Sequence, residues 1–284
     1  MSAQTVPASV SHGGRALPGT FRTGLRRTWI EMVSFLRERD AVIFILAYPL
    51  IMMAIFATVF GQQEQGNATD SVPFTQYFLP GMVATGVMLT SFQNLAISIA
   101  VERDDGTLKR LRATPLPASS YFLGKIGQVL IAVTVQTAAL LLLAATMFDV
   151  PMPSTASAWW TFTWVFVLGT ATGSVLGVAF SSLPRSGKSA SAVVTPVVLV
   201  LQFISGVFFA FFALPSWMQQ VASVFPLKWL AQGMRSVFLP AEAEALEVGG
   251  SWQHGATAAV LVAWLVVGLV VGVRTFRWRR RDDG

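Results

Sequence analysis

Cysteine is absent from the 284 residues. Disulfides, thiolate metal sites and cysteine nucleophiles are therefore excluded. Charge is scarce too: 12% of residues are Asp, Glu, Lys or Arg, against about 25% in an ordinary soluble domain. The only histidines, His12 and His254, are far apart in the chain. They fall on opposite membrane sides in the topology derived below, so they cannot share a metal within one protomer. No hydrolase elbow, helical His pair or dinucleotide-binding glycine fingerprint occurs. No catalytic residue and no metal are expected in this chain.

What the sequence has in excess is apolar residues, 54% of the total. They come in blocks long enough to cross about 30 Å of hydrocarbon as helices. The chain reads as an all-α integral membrane protein with six transmembrane helices. The expected spans are Ala41–Phe60, Tyr77–Ala100, Tyr121–Phe148, Trp159–Leu183, Ala190–Leu214 and Ala256–Val273. With the N-terminus inside, 18 of the 20 Lys and Arg fall on the inner side, and only Lys228 and Arg235 fall outside. Basic residues in short loops favour the cytoplasm, so both termini are expected there. The net charge of +6 thus reads as membrane orientation rather than nucleic-acid binding. Residues 1–20 read as a flexible cytoplasmic tail rather than a signal peptide, 21–273 as the membrane domain and 274–284 as a basic cytoplasmic tail.

Two segments outside the spans carry their own pattern. In "FRTGLRRTWIEMVSFLRERD", Phe21, Leu25, Trp29, Met32 and Leu36 recur at helical spacing. Arg22, Arg26, Arg27, Glu31 and Arg37 take the other faces. This predicts an amphipathic helix lying in the headgroup region. Between spans five and six, Pro215, Pro226 and Pro240 divide an external stretch into pieces too short to cross. These predict interfacial or re-entrant half-helices, with Trp217, Trp229 and Trp252 in an aromatic belt.

Within the spans the polar residues are neutral amides: Gln93, Asn94, Gln128, Gln136 and Gln202. They suit either hydrogen-bonded helix glue or the lining of a substrate route. Ion-coupled carriers place Asp, Glu, His or Arg at such depths or carry internal repeats; neither is found here. A membrane-embedded enzyme would need convergent catalytic groups at one depth, and none is evident. Gly169, Gly173 and Gly177, then Gly268 and Gly272, recur one turn apart and predict close helix packing. "SGKS", Ser186–Ser189, imitates the end of a phosphate-binding loop, but Ser182 stands where the first glycine belongs. Cationic anchors at a membrane edge are the better reading of that segment. The Asn67-Ala68-Thr69 sequon matters only in a glycosylating compartment.

The most charged segment, "VERDDGTLKRLRATPLPASSYFLGK", separates spans two and three. Asp104 or Asp105 can cap a helix, Gly106 eases a turn, and Thr107–Arg112 form a short basic helix ended by Pro115 and Pro117. The result is a rigidly ended prong joined directly to two spans. Composition alone leaves open whether it docks a partner or is an ordinary positive-inside loop.

This run resembles the cytoplasmic loop of ABC type-2 exporter permeases, the membrane subunits of drug-resistance and polysaccharide or lipid exporters. The matching residues are Glu102-Arg103, Gly106-Thr107, Leu108 to Arg112, Thr114-Pro115, Tyr121 and Gly124-Lys125. "FPLKWLAQGMRSVF" is similar to the family's external segment before the last span. The resemblance spans nearly the whole chain from about residue 20.

It implies a dimer of permeases, expected to be a homodimer, in a bacterial-type plasma membrane, with two ATPase subunits on the cytoplasmic side. Glu102, Arg103, Gly106, Thr107, Lys109 and Arg110 would contact or orient the ATPase through a coupling helix. ATP and Mg would sit on that partner, because this chain has no ATPase motif. Efflux of a hydrophobic or amphipathic compound, of multidrug or antibiotic type, is the leading function. Export of a lipid or glycolipid-linked polysaccharide is the alternative, for which Trp159, Trp160 and Trp164 would suit an aromatic-lined channel. A stand-alone secondary transporter comes last.

Overall fold

The computed structural model describes residues 20–65, 71–115, 117–276 and 278. The expected N-terminal tail, His12, the Asn67-Ala68-Thr69 sequon, Arg277 and Arg279 to Arg281 lie outside the described residues. Among the described residues, six helices are long and apolar enough to cross a membrane. They are Val42–Phe60, Phe74–Asp104, Ala118–Met147, Ala156–Phe180, Gly187–Ile204 and His254–Thr275. The one sheet among the described residues is an antiparallel pair, Glu64–Gln65 (β1) with Val72–Pro73 (β2).

The described residues open with α1 (Thr20–Arg37) and α2 (Arg39–Phe60), which carries span one. Span two is compound: α3 (Phe74–Met88), a π-helical turn over Leu89–Asn94, and α4 (Leu95–Asp104). The short α5 (Thr107–Arg112) leads into α6 (Ala118–Met147), span three. Span four is α7 (Ala156–Phe180) and span five α8 (Gly187–Ile204). Then come α9 (Ser216–Val224), α10 (Pro226–Phe238) and span six, α11 (His254–Thr275).

Span two is the axis of the bundle. All but one residue of α3 is buried, whereas spans one and six keep wide apolar faces exposed. A helix apolar all round belongs inside; one buried on a single stripe faces lipid. The glycine row of α7 lets span four close on this axis. A Cβ at Gly169 would collide with Leu230 of α10, and one at Gly173 with Ser91. At Gly177 it would lie 2.9 Å from the carbonyl oxygens of both Ser91 and Phe92, in the π turn. Gly268 of α11 approaches Val175 and Leu176, while Gly272 makes only ordinary 3.9 Å contact with Ala179. The small residues therefore serve packing within one chain.

Span five is shorter than the apolar run suggests. It stops at Ile204 rather than Leu214, because the chain turns through Gly206 at φ +74° and a 3-10 turn follows at Phe211–Ala213. A Cβ at Gly206 would sit 2.7 Å from that of Phe211, so apolar character continues past the helix in a packed turn.

α1 is helical where expected, but its faces are assigned differently. Glu31, expected on the wet side, is buried, while Phe21, Leu25, Trp29 and Leu36 stay exposed. The reason lies in α6. Gly124 and Gly127 present bare backbone to Arg27 and Thr28, so α1 lies close along span three with its Arg27–Glu31 edge inward.

The opposite end of the bundle is closed by α10, nearly all of it buried against spans two, four and six. Buried Arg235 is ion-paired with Glu247, and its guanidinium also donates to the Gly206 carbonyl at 3.2 Å. Burial works against this charge, but Glu247 overcomes it and holds Arg235 above its ordinary value. Lys228 lies 3.5 Å from the centre of the Trp229 ring. Burial pushes its ammonium down to about 8, opposed by Glu247 and reinforced by Arg235.

Two outcomes follow from this packing. Gly177→Ala forces a methyl against two backbone carbonyls and is expected to lower stability by about 1–3 kcal/mol in a denaturation series on purified protein. Arg235→Met strands the Glu247 carboxylate and should cost about 3–5 kcal/mol, most of it recovered in the Arg235→Met/Glu247→Leu double variant.

Candidate functional site

α5 is a short helix that leaves span two through a glycine turn. α4 runs unbroken out of span two to Asp104, and the chain then turns at Gly106, φ +80° and ψ 7°. That left-handed conformation is open to glycine and strained for residues with a Cβ. The Asp105 carboxylate accepts from the Thr107 amide at 2.8 Å, starting α5, and the Arg110 guanidinium donates to Thr107 Oγ1 at 3.1 Å. Leu108 is the anchor, fully buried among Leu95, Ile99, Tyr121 and Val129. Lys109, Arg110 and Arg112 point into the open. α5 thus has one apolar foot in the bundle and a basic outer face.

Beneath the foot lies a chain of charges joining three elements. Lys125 of α6 is ion-paired with Glu102 of α4 and, at 2.7 Å, with Glu31 of α1. Arg27 pairs with Glu31 from within α1, and the Tyr121 hydroxyl donates to Glu102 Oε2 at 2.8 Å. Lys125 and Glu31 are each only 4% exposed. Arg103, next to Glu102, donates to the Ser181 carbonyl at 2.6 Å and to Ser181 Oγ at 3.0 Å, tying span two to the end of span four. Of the six residues expected to meet or orient a partner, Lys109 and Arg110 are on the open face. Glu102 and Arg103 are turned into the bundle, and Gly106 and Thr107 form the hinge.

A cavity of about 470 Å³ opens beside this network, between α1, α2, α4 and α6. Gln93, Asn94 and Gln128 line it, as do Glu102 and Thr107. Gln93 and Asn94 end the π turn, whose wider winding resets the side-chain phase along span two. Gln136 and Gln202 are placed elsewhere. Gln136 accepts from Thr90 Oγ1 at 2.9 Å and donates to the Ile45 carbonyl at 2.6 Å, joining spans one, two and three. Gln202 accepts from the Tyr48 hydroxyl at 3.3 Å. The first three amides border open space; the other two hold helices together.

The "SGKS" segment is a helix start. Ser186 and Ser189 form a reciprocal capping box at the head of α8. Sequence reasoning missed Arg27 and Glu31 as members of the buried network, because their charges read as a wet face. Lys125 and Tyr121 were visible in the motif but without a role. The available signal was Gly124 and Gly127 flanking Lys125, a gap cut for a second helix.

Comparison with known proteins places the chain in a family. The family profile of the ABC-2 type transporter matches residues 21–239. The inner membrane transport permease YadH of Escherichia coli K12 is 24% identical over 201 residues, covering 68% of this chain and 75% of that protein. ABC transporter G family member 20 of Dictyostelium discoideum is 26% identical over 207 residues, 70% of this chain and 26% of that protein. The probable multidrug ABC transporter permease YbhR of E. coli K12 is 24% identical over 173 residues, 60% of this chain and 45% of that protein. Six spans, a hinged basic prong between spans two and three, and a profile match across most of its length together place this chain in the ABC-2 type transporter family, as a membrane permease component.

Proposed function

We propose that this chain is the permease half of an ATP-driven exporter of hydrophobic or amphipathic compounds. Two copies form the pathway, and each docks a separate ATPase subunit, which carries ATP and Mg. The observation that carries the reading is the construction of α5: a basic outer face, a glycine hinge and a foot locked into the bundle core. A partner that pulls on Lys109 and Arg110 moves Leu108, and through it the helix ends that hold Glu102 and Tyr121. Those ends belong to spans two and three, so a cytoplasmic force reaches the bilayer without crossing any flexible linker.

The bias of Lys and Arg supports a cytoplasmic location for α5 and both termini, in an inner-membrane setting like that named for YadH. The exposed Phe21, Leu25, Trp29 and Leu36 of α1 supply an apolar face for the headgroup boundary. α9 and α10 then form the external re-entrant closure. Efflux of drug-like compounds draws support from the name of YbhR and from the mixed polar and apolar lining of the cavity.

Gly106→Pro cannot hold φ +80° and misaims α5. Glu102→Ala leaves Lys125 with Glu31 alone. Both variants should insert and retain the ATPase subunit, yet lose about tenfold in substrate exported per ATP hydrolysed. The ratio is read from dye transport and phosphate release on the same inside-out vesicles. Unchanged ratios in both variants contradict the lever.

A further inference from the structure

A second cavity lies between the start of α6 and the C-terminal halves of α7 and α11. Its volume of about 490 Å³ falls within the range of small-molecule sites, about 300–1,000 Å³. Apart from Ser119 and Ser174 its lining is aliphatic, aromatic or glycine. The Ser174 hydroxyl already donates to the Thr170 carbonyl at 2.7 Å, within α7. A polar group entering this depth would give up water for apolar walls. Leu123, Leu269 and Val273 line the cavity yet are 42%, 48% and 83% exposed. It therefore opens as a groove on the outer surface of the bundle, where the spans meet hydrocarbon.

The second observation is charge at one end of this groove. No carboxylate lines it among the described residues. Arg274 sits in the last turn of α11 between the lining residues Val273 and Phe276. It is exposed and is ion-paired to no described residue. The sequence from 274 to 284 holds five arginines against two aspartates. Trp278, inside that run, lines the groove with its ring 5.2 Å from Phe276 and 6.4 Å from Phe122. α6 begins at the same end, its start capped by no side chain. A basic segment at the inner end of a span attracts anionic headgroups, and a helix start adds amides that favour phosphate.

We infer that the groove is a binding site for an anionic phospholipid, one acyl chain lying between α6, α7 and α11 and the phosphate at Arg274. That this is a lipid of the cytoplasmic leaflet rests on the permease reading, which puts both termini inside; the site itself does not. Charge complementarity selects the headgroup, and apolar walls open to the bilayer select the chain. The site also adjoins α5. Phe122, Phe276 and Trp278 pack on the apolar cluster that buries Leu108 and Tyr121. A seated lipid braces the foot of α5 from the side of span six, so bilayer charge becomes an input to coupling.

The test titrates the full permease, purified with its ATPase subunit in nonionic detergent, and counts retained lipids by native mass spectrometry. The probes are phosphatidylglycerol and phosphatidylcholine with identical palmitoyl and oleoyl chains. The first phosphatidylglycerol should bind at least about tenfold tighter than the first phosphatidylcholine. Arg274→Gln should weaken phosphatidylglycerol about fivefold and leave phosphatidylcholine unchanged. Leu269→Trp puts a larger ring on the exposed wall of the groove and should weaken both lipids at least about fivefold. Both positions are on the outer surface, so both variants should keep the elution profile of the parent. Equal affinity for the two lipids, or parent-like phosphatidylglycerol binding in either variant, overturns the inference. So does a Leu269→Trp protein that loses its dimer and keeps its lipid, which would give the groove to a second copy. Co-purification of the ATPase reads the permease assignment separately. Selective lipid binding without an ATPase would support the site and contradict the assignment, and the reverse pattern would do the opposite.

Discussion

One lysine ammonium, buried between two carboxylates, fixes the arrangement on which everything else rests. Lys125 reaches Glu31 on the helix before span one and Glu102 at the foot of span two, while itself belonging to span three. Burying such charges is expensive, and an apolar replacement of the whole set would often be as stable. What the charges supply is uniqueness. Only one register of three helix ends brings both carboxylates to a single ammonium, with Arg27 and the Tyr121 hydroxyl completing their bonds. Removing the lysine would leave two carboxylates facing each other in a largely buried site, at a cost of about 3–5 kcal/mol. α5 stands on this platform, so its angle to the bundle is set by the same register.

The second constraint is the closeness of spans two and four. Gly173 and Gly177 admit the π turn of span two against bare α7 backbone, and Arg103 repeats the tie at the end of both spans through Ser181. The wider winding of that turn separates two roles for neighbouring polar side chains. Gln93 and Asn94 border the cavity, while Thr90, three residues earlier, holds Gln136 and with it span one. α5 thus adjoins a span that lines open space at Gln93 and Asn94 and is clamped at Thr90.

Much of this was legible in the sequence. Apolar length gave six spans, and turn chemistry gave Gly106 as hinge and Thr107–Arg112 as helix, leaving the acceptor open between Asp104 and Asp105, of which Asp105 serves. The glycine spacing announced close packing, though not its partner. What stayed hidden depends on tertiary approach. Periodicity placed Glu31 in water because it cannot see that Gly124 and Gly127 have cleared a path for α1. Hydropathy carried span five ten residues too far, because a packed apolar turn and an apolar helix score alike. The π turn has no composition of its own. Arg235 and Glu247 pair across a loop, and nothing in either local pattern names the other.

Since the chain lacks cysteine, spin labels can be placed at will. With one label at Arg26→Cys on α1 and one at Arg112→Cys on α5, pulsed electron paramagnetic resonance reports their separation directly. The account predicts a single narrow distance in the parent background and in Lys125→Arg, and a broad distribution in Lys125→Met. A Lys125→Met protein that kept the narrow distance would show that α5 takes its position from something other than the buried charges.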